Sequence, residues 1–276
     1  MPNPLINCSL IISTYNWVEA LELTLNSVLL QSVLPKEVII ADDGSKEETR
    51  DLIERYKQTF PVPLIHIWHE DKGFRLASIR NKAFAVSTQE YLIQIDGDVI
   101  LHPQFIEDHV TLASPNCLLQ GSRVNLGKYR SAILLKKKQS RVSVFSTDIS
   151  RRENGIRWIS LAKWLLTKYR NRYPVYYARG ANMSFWRKDI LAINGYNENF
   201  TGWGHEDSDL TLRMLNNHKT KLVLKFSAIV YHLYHPEHTS KTDQSGNKHY
   251  IEETLRQKIS WTDNGINKYL TENKQT

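Results

Sequence analysis

The sequence predicts an α/β fold with a Rossmann-like, mostly parallel central sheet and helices on both faces. Two observations carry this. Over the first hundred residues, short β-branched and apolar runs alternate with segments of helical spacing, the pattern of βαβ units. Polar residues then cluster just past the C-terminal end of each predicted strand, where open α/β sheets bind their ligands.

In chain order, CSLIIS is a strand and residues 17–31 a helix. EVIIAD is a strand, and residues 46–58 are a helix with Ser45 as its expected N-cap. PLIHIW is a strand, residues 74–87 a helix, and YLIQI a strand. The polar clusters at the strand ends are Ser13-Thr14-Tyr15-Asn16, Asp42-Asp43-Gly44-Ser45, His69-Glu70-Asp71 and Asp96-Gly97-Asp98.

Composition narrows the class further. A chain of 276 residues is long enough for a full core without disulfide or metal staples. No apolar run approaches the ~18 residues of a membrane span, and MPNPLINCSLIIST has no basic region ahead of its apolar stretch. Cys8 and Cys117 lie in apolar surroundings, which suggests a reducing compartment. The expectation is a cytoplasmic protein, either free or peripheral on the inner face of the plasma membrane.

Charge is unevenly spread. The net +7 comes from residues 123–172, where 14 Lys and Arg face only Asp148 and Glu153; the remainder of the chain is acidic. Such a segment should meet something anionic. Within it, IRWISLAKWLLTKYR has the spacing of an amphipathic helix: Trp158, Ile159, Ala162, Leu165, Leu166 and Tyr169 share one face. Arg157, Lys163, Lys168 and Arg170 flank that face. A helix lying on an anionic membrane fits this pattern, as does a helix packed on the core with a solvated basic rim. No nucleic-acid motif accompanies the charge, so no nucleic-acid partner is expected.

Several chemistries are excluded by their missing signatures. No GxGxxG follows the first strand, no GxxxxGK[ST] is present, and GxSxG is absent. Acidic strand ends remain, and carboxylates do not hold a diphosphate directly. Asp96 and Asp98, following a buried strand, point to a divalent cation that grips phosphate oxygens; the plain alternative is a polar turn.

The segments SLIISTYNWVEALELTLNSVLLQS, VIIADDGS and YLIQIDGDVI resemble the family-2 glycosyltransferases of the GT-A fold. RGANMSFWRKDILAINGYNENFTGWGHEDSDLTLR is similar to a segment shared by β1,4-galactosyltransferases and bacterial chondroitin-polymerase-type enzymes. The resemblance covers roughly residues 7–120 and 175–236. It implies a UDP-sugar donor, a divalent metal (Mn²⁺ or Mg²⁺) and inverting transfer to a hydroxyl of a saccharide acceptor, free or carried on a lipid that residues 123–172 would recognise, in bacterial surface-polysaccharide or lipopolysaccharide synthesis. It also implies a nucleotide-sugar-binding half at 1–102, an acceptor-binding half at 103–235, and a loop and helical tail at 236–276.

Carried over by position, Ser13 and Tyr15 would line the nucleotide site and Asp43 would meet the uracil, with Asp42 beside it. Asp96 would reach the ribose or a metal-bound water, and Asp98 would ligate the metal. Arg75 or Arg80 would bind a phosphate or order the site; a solvated helix face is the plain alternative. A further metal ligand is expected at His232 or His235. If AIVYHLYHP is a strand throughout, these two point to opposite faces, which favours His232 alone.

GYNENFTGWGHEDSDLTLR has its own logic. Trp203 offers a flat face for a sugar ring, against the alternative of core filling. Glu206, Asp207 and Asp209 fall in the first turn of a predicted helix, where the macrodipole favours carboxylates. Asp209 and Arg213 are spaced as a structural i,i+4 pair. By resemblance Asp207 is the general base and Glu206 hydrogen-bonds the acceptor. His205 stands where the galactosyltransferase pattern has glycine, and Ser208 where it has aspartate, which leaves the base in place and opens the identity of donor and acceptor. Residues 236–250 read as a loop over the site or as plain surface. Two competing readings share some of these features: a sugar nucleotidyltransferase using the paired aspartates, and a non-enzymatic adaptor for anionic membranes. Neither explains GWGHED.

Overall fold

A computed structural model describes residues 6–172, 175–236 and 245–272. Its first part follows the expected alternation: β1 (Cys8–Thr14), α1 (Val18–Leu29), β2 (Glu37–Asp42), α2 (Glu47–Lys57), β3 (Leu64–Trp68), α3 (Leu76–Val86) and β4 (Tyr91–Asp96). There follow β5 (Val99–Leu101), α4 (Phe105–Leu112), β6 (Cys117–Gln120), β7 (Ser122–Leu126), α5 (Lys128–Lys137), β8 (Ile149–Ser150) and α6 (Ile159–Leu165). The chain continues through β9 (Asn182–Trp186), α7 (Arg187–Ala192), α8 (Glu206–Asn216), β10 (Thr220–Val223), β11 (Ile229–His232), α9 (Ser245–Gln257) and α10 (Asn267–Glu272).

Successive strand residues face opposite sides of a sheet, so a strand covered on both sides must be apolar nearly throughout. β1 shows this. Leu10 and Ile12 pack with Leu21, Leu25 and Val28 of α1, whereas Ile11 packs with Ile79 and Phe84 of α3 on the other face. The main sheet has seven strands in the order β10-β6-β9-β4-β1-β2-β3. Only β9 is antiparallel to its neighbours β4 and β6. A second sheet, β5-β11-β7-β8, brings the strand after Asp98 against the strand that ends at His232.

Three local expectations are corrected. Ser45 does not cap α2: Lys46 precedes the helix, and no side chain caps it. The Ser45 hydroxyl instead accepts the Asn16 N–H at 2.9 Å, and its own N–H donates to Asp42 Oδ1 at 2.8 Å, so the strand-end loop has claimed it.

The amphipathic segment forms a shorter helix than its spacing predicts. After Leu165 the chain turns: Asn171 N–H donates to Lys221 O at 2.7 Å, Val223 N–H donates to Tyr169 O at 3.3 Å, and Arg170 bridges to Leu222. Residues 169–171 are thus drawn onto the edge of β10. Ala162 is buried, and Ile159 and Leu166 pack on the core, but Trp158 and Trp164 stand 59% and 60% exposed. Arg157 is not a free surface cation either. It forks onto the fully buried Asp108, with Nε and Nη2 at 3.0 and 2.8 Å from Oδ1. Finally, of the loop expected over 236–250, residues 237–244 lie outside the described residues, and from Ser245 the chain is helical.

Between the sheet and α4 lies a buried polar cluster whose protonation is fixed by its partners. Asn182 Nδ2 donates to the carbonyls of Ser122 and Ala228, so its Oδ1 faces His109 Nε2 at 2.9 Å and takes that proton. His109 Nδ1 then accepts from the Ser184 hydroxyl at 2.7 Å. Burial holds this imidazole down at about 4, only partly offset by Asn182.

Two stability outcomes follow. Arg157→Met should cost about 3 kcal/mol in urea unfolding, because it strands a buried carboxylate; an unchanged midpoint would show the pair to be dispensable. The His109 pKa in the folded state lies below its unfolded value of 6.5, so the unfolded chain binds more protons between them. The stability it contributes is therefore complete above about 6.5 and declines as pH falls toward 4, by about 2 kcal/mol at pH 5. Unfolding midpoints compared at pH 7 and pH 5, for the wild type and His109→Gln, measure this slope.

Candidate active site

The chain order reverses direction across the sheet at β1: β2 and β3 lie on one side, β4 on the other. Such a switch point leaves a crevice at the carboxyl ends of the strands. Parallel register sets Ser13 opposite Asp96 and Thr14 opposite Asp42 there. A cavity of about 750 Å³ opens at this edge, with Arg80, Asp96, Asp98, Glu206, Asp207 and His232 among its lining residues.

Arg80 is the centre of the arrangement. It projects from α3, is 1% exposed, and makes four contacts. Nε donates to Ser13 Oγ at 3.1 Å, Nη2 to Asp96 Oδ1 at 2.9 Å, and Nη1 to Asp207 Oδ1 at 2.9 Å and Tyr196 Oη at 3.4 Å. Burial opposes its charge, but Tyr196, Asp207, Asp96 and Glu206 outweigh that and raise its pKa above the ordinary value. Of the two arginines considered from sequence, Arg80 orders the site. Arg75 instead donates its backbone N–H to Asp43 Oδ2 at 3.0 Å and its guanidinium to the Glu70 carbonyl.

Asp207 sits in the first turn of α8, with its side chain 17% exposed. Oδ1 accepts from Arg80 and, at 2.8 Å, from the Tyr196 hydroxyl; Oδ2 accepts the Gly180 N–H at 2.7 Å. A carboxylate offers about four lone-pair sites, which leaves one on Oδ2 for a proton. Gly180 must be glycine for this contact: a Cβ there would lie 2.5 Å from Asp207 Oδ1 and 2.6 Å from Arg80 Nη2. Gln94, buried in β4, donates to the Gly180 carbonyl at 3.0 Å, and its Oε1, 3.0 Å from the Tyr196 oxygen, shares that hydroxyl's single proton with Asp207, so it touches two of the three partners of Asp207.

Glu206 is buried beside it. Desolvation first, and then the charge of Asp207, push its carboxyl up to about 7. Adjacent carboxyl groups in such different environments suit different roles. Asp209 goes elsewhere, as its spacing predicts: it pairs with buried Arg213 at 2.8 Å and accepts from Thr254 of α9. His205, just ahead of α8, adopts the left-handed conformation with φ +71°. Glycine takes that conformation without strain, which is the local reason a glycine suits this position. Trp203 is 36% exposed and lines the cavity, so it does not fill the core.

Asp98, His232 and His235 form a candidate metal centre, with one ligand atom of each lying within 4.8 Å of the others. Both histidine Nε2 atoms stand 3.5 Å from Asp98 Oδ2. The two histidines do not face opposite ways, as a strand running through both would have placed them. β11 ends at His232, and Leu233 N–H bonds to the Asp98 carbonyl at 2.9 Å, so the chain leaves the strand and two-residue alternation no longer governs His235. Burial, and then Arg123, lower His232 to about 3, which keeps the imidazole in the neutral form that ligates. Two imidazoles and a carboxylate are a donor set suited to a divalent transition metal.

Three residues expected at a nucleotide, Tyr15, Asp42 and Asp43, are not among those lining the cavity. Tyr15 is 53% exposed and donates its hydroxyl to Asp71 Oδ2 at 2.9 Å. Asp43 is held by His69 Nε2 at 2.6 Å and by Arg75 N–H. Asp42 is fully buried, with His66 Nε2 at 2.9 Å from Oδ2, so it shapes the loop and has no surface for a ligand. Sequence reasoning did not find Tyr196, Gln94 or Gly180. Gln94, a polar residue within a buried strand, carried the one usable signal.

A profile for glycosyl transferase family 2 matches residues 9–184, and one for the N-terminal domain of galactosyltransferase matches residues 163–238. Chondroitin synthase of Escherichia coli is 24% identical over 92% of this chain and 38% of its own length. Validoxylamine A glucosyltransferase of Streptomyces hygroscopicus subsp. limoneus is 28% identical over 75% of this chain and 47% of its own. The chain thus spans less than half of these relatives. Among solved structures, a mannosyltransferase of Pyrobaculum calidifontis in complex with GDP-Man and Mn²⁺ aligns at a TM-score of 0.61 and 15% identity, over 94% of this chain and 65% of the other. GalNAc-T7 with UDP, GalNAc and Mn²⁺ aligns at 0.63 and 14%, over 85% and 45%. These likenesses place the fold among the GT-A glycosyltransferases. The first profile takes in β1 through most of β9, well over half of the protein, and the chain belongs to glycosyl transferase family 2.

Proposed function

We propose that this glycosyltransferase is an inverting, metal-dependent enzyme that moves a sugar from a UDP-sugar to a hydroxyl of a saccharide acceptor, in bacterial surface-polysaccharide or lipopolysaccharide synthesis. One observation carries the reading: the Asp98, His232 and His235 cluster and the Glu206–Asp207 pair line one cavity, in which Arg80 bridges Asp96 to Asp207. Residues 1–102 would hold the donor and residues 103–235 the acceptor.

On the donor side, Tyr15 and Asp43 would receive the base, and the Asp96 carboxylate the ribose. Ser13 and Asp42 act by position, the first through Arg80 and the second through the loop it folds. A divalent cation, Mn²⁺ or Mg²⁺, held by Asp98, His232 and His235 would supply positive charge against the leaving diphosphate. Trp203 offers its face to a sugar ring, and Glu206 hydrogen-bonds the acceptor. The free lone pair of Asp207 Oδ2 takes the proton of the acceptor hydroxyl as that oxygen bonds to the anomeric carbon. The bond to the diphosphate oxygen breaks with its electron pair on the diphosphate. Attack from the face opposite the leaving group inverts the anomeric centre.

The basic segment suits the surface on which such acceptors are often carried. Tyr129, Phe145, Trp158 and Trp164 are exposed among its lysines, a composition suited to an anionic membrane face. Among the described residues no helix is long and apolar enough to cross a membrane. Binding to phosphatidylglycerol vesicles should therefore weaken as salt rises; binding that ignores salt, or none, would remove the membrane from this reading.

Two outcomes test the chemistry. UDP release from a panel of UDP-sugars should occur with Mn²⁺ for one sugar and stop with EDTA, and His235→Ala should lower metal-dependent UDP affinity. Release unaffected by EDTA, or full affinity in the variant, would count against the metal centre. Asp207→Asn should lower transfer about 10²–10⁴-fold while UDP still binds with near-normal affinity. Near-normal turnover in that variant would dismiss Asp207 as the base.

A further inference from the structure

Behind the wall formed by Arg123, Tyr177 and Arg179 lies a second cavity of about 250 Å³. Those three residues line both cavities, so the two are neighbours across a shared partition. Its chemistry is one-sided. Arg123, Arg151, Arg172, Arg179, Lys221 and Lys225 all line it, and no Asp or Glu does among the described residues.

Such a grouping opposes ordinary folding energetics. Like charges repel, and exposed cations normally spread among acids, as Lys268 does with Glu198 and Lys138 with Glu22. Here two of the six are also withdrawn from water. Lys221 is 2% exposed and donates to the Tyr177 carbonyl at 2.7 Å, while burial draws its ammonium down to about 8. Burial, and then the charge of Arg179, likewise lower Arg123. A bound anion would reverse both effects.

A second observation is independent of charge. Gln120, at the end of β6, lines the same cavity at 7% exposure, and its side-chain Oε1 has no hydrogen-bond partner. A buried acceptor left without a partner costs free energy, and a ligand carrying a hydroxyl beside its anionic group would satisfy it. The volume is below the ~300–1,000 Å³ of sites for whole organic ligands, so the cavity suits one compact group. Six cations also exceed what a single carboxylate would balance, whereas a phosphate or diphosphate carries more charge and more acceptor oxygens.

We propose that this cavity is an anion subsite for the acceptor, holding a phosphate or diphosphate group of the saccharide while its hydroxyl reaches across the shared wall toward Asp207. The assignment rests on the transferase reading for its role, but the anion site itself does not need it. Arg172 and Lys225 suit the test, since each touches the Tyr169 ring (4.7 and 5.9 Å to the centroid) and neither contacts the catalytic carboxylates.

Calorimetry of the whole protein in EDTA would titrate inorganic pyrophosphate into the wild type and the Arg172→Ala/Lys225→Ala variant. UDP binding with Mn²⁺ would be measured in parallel. The expected result is pyrophosphate binding without metal, weakened about tenfold or more in the variant, with UDP affinity unchanged. No metal-free pyrophosphate binding, or equal binding by both proteins, would overturn the subsite even if UDP binds normally. Equal loss of UDP binding in the variant would overturn it too, by assigning these cations to the donor or to folding. Pyrophosphate binding without any UDP affinity would leave the anion site standing and sink the transferase reading instead. Farnesyl diphosphate and glucose 1-phosphate as further titrants separate the two sources of the anion. Tighter binding of the first marks a lipid-linked diphosphate, and of the second a sugar phosphate.

Discussion

The architecture of the site depends on one buried cation. Arg80 is nearly inaccessible to water, yet it neutralises carboxylates from two distant parts of the chain, Asp96 at the end of β4 and Asp207 at the start of α8. Withdrawing a guanidinium from solvent is costly unless its donors are satisfied. Here Ser13, Tyr196, Asp96 and Asp207 meet them. Without it, Asp96 and Asp207 would lose the cation they share at the edge of the cavity. Arg80 therefore makes the cavity foldable as well as orienting it.

The sheet topology decides where that cation can act. β4 and β1 lie side by side with Ser13 opposite Asp96, which sets two of its partners in register. The antiparallel strand β9 then enters between β4 and β6, and the turn leading into it carries Gly180. Through Gln94, the interior of β4 grips that turn and Tyr196 at once. Asp96 and Asp207 thus belong to a single hydrogen-bonded lattice anchored in β4. Asp209 and Arg213 anchor the other side of α8, to the carbonyls of Ile193 and Gly195 and to Thr254.

Much of this was legible where the signal is local. Apolar runs and helical spacing located β1 to β4 and the helices between them, and the acids at the strand ends located the crevice. Legibility failed where a distant partner decides a residue's conformation or role. Ser45 has the chemistry of a cap, but the loop beside it competes for its hydroxyl. His235 breaks the alternation because the strand ends three residues earlier, at a point that Asp98 and Leu233 fix together. Tyr196 and Gly180 carry no periodic signature at all; their roles come from contacts with residues far away in sequence. The 156–170 helix ends early because an edge strand captures residues 169–171, which no helical periodicity reveals.

The uneven charge of the chain gains a spatial meaning from these contacts. Glu206, Asp207, Asp96 and Asp98 crowd one cavity, and Arg80 offsets only part of their charge. Asp98, which Arg80 does not reach, attracts a divalent cation, so donor binding in the proposed reaction would gain from the cation by simple electrostatics. Across the wall, the cations of the 123–172 segment and of β10 create the opposite field. An acceptor carrying a negative group would be drawn to that side and repelled from the donor carboxylates. Opposite fields on either side of Arg123 and Arg179 would then set the order of the two substrates across the site, leaving the unequal burial of Glu206 and Asp207 to determine which carboxyl group holds the acceptor and which takes its proton.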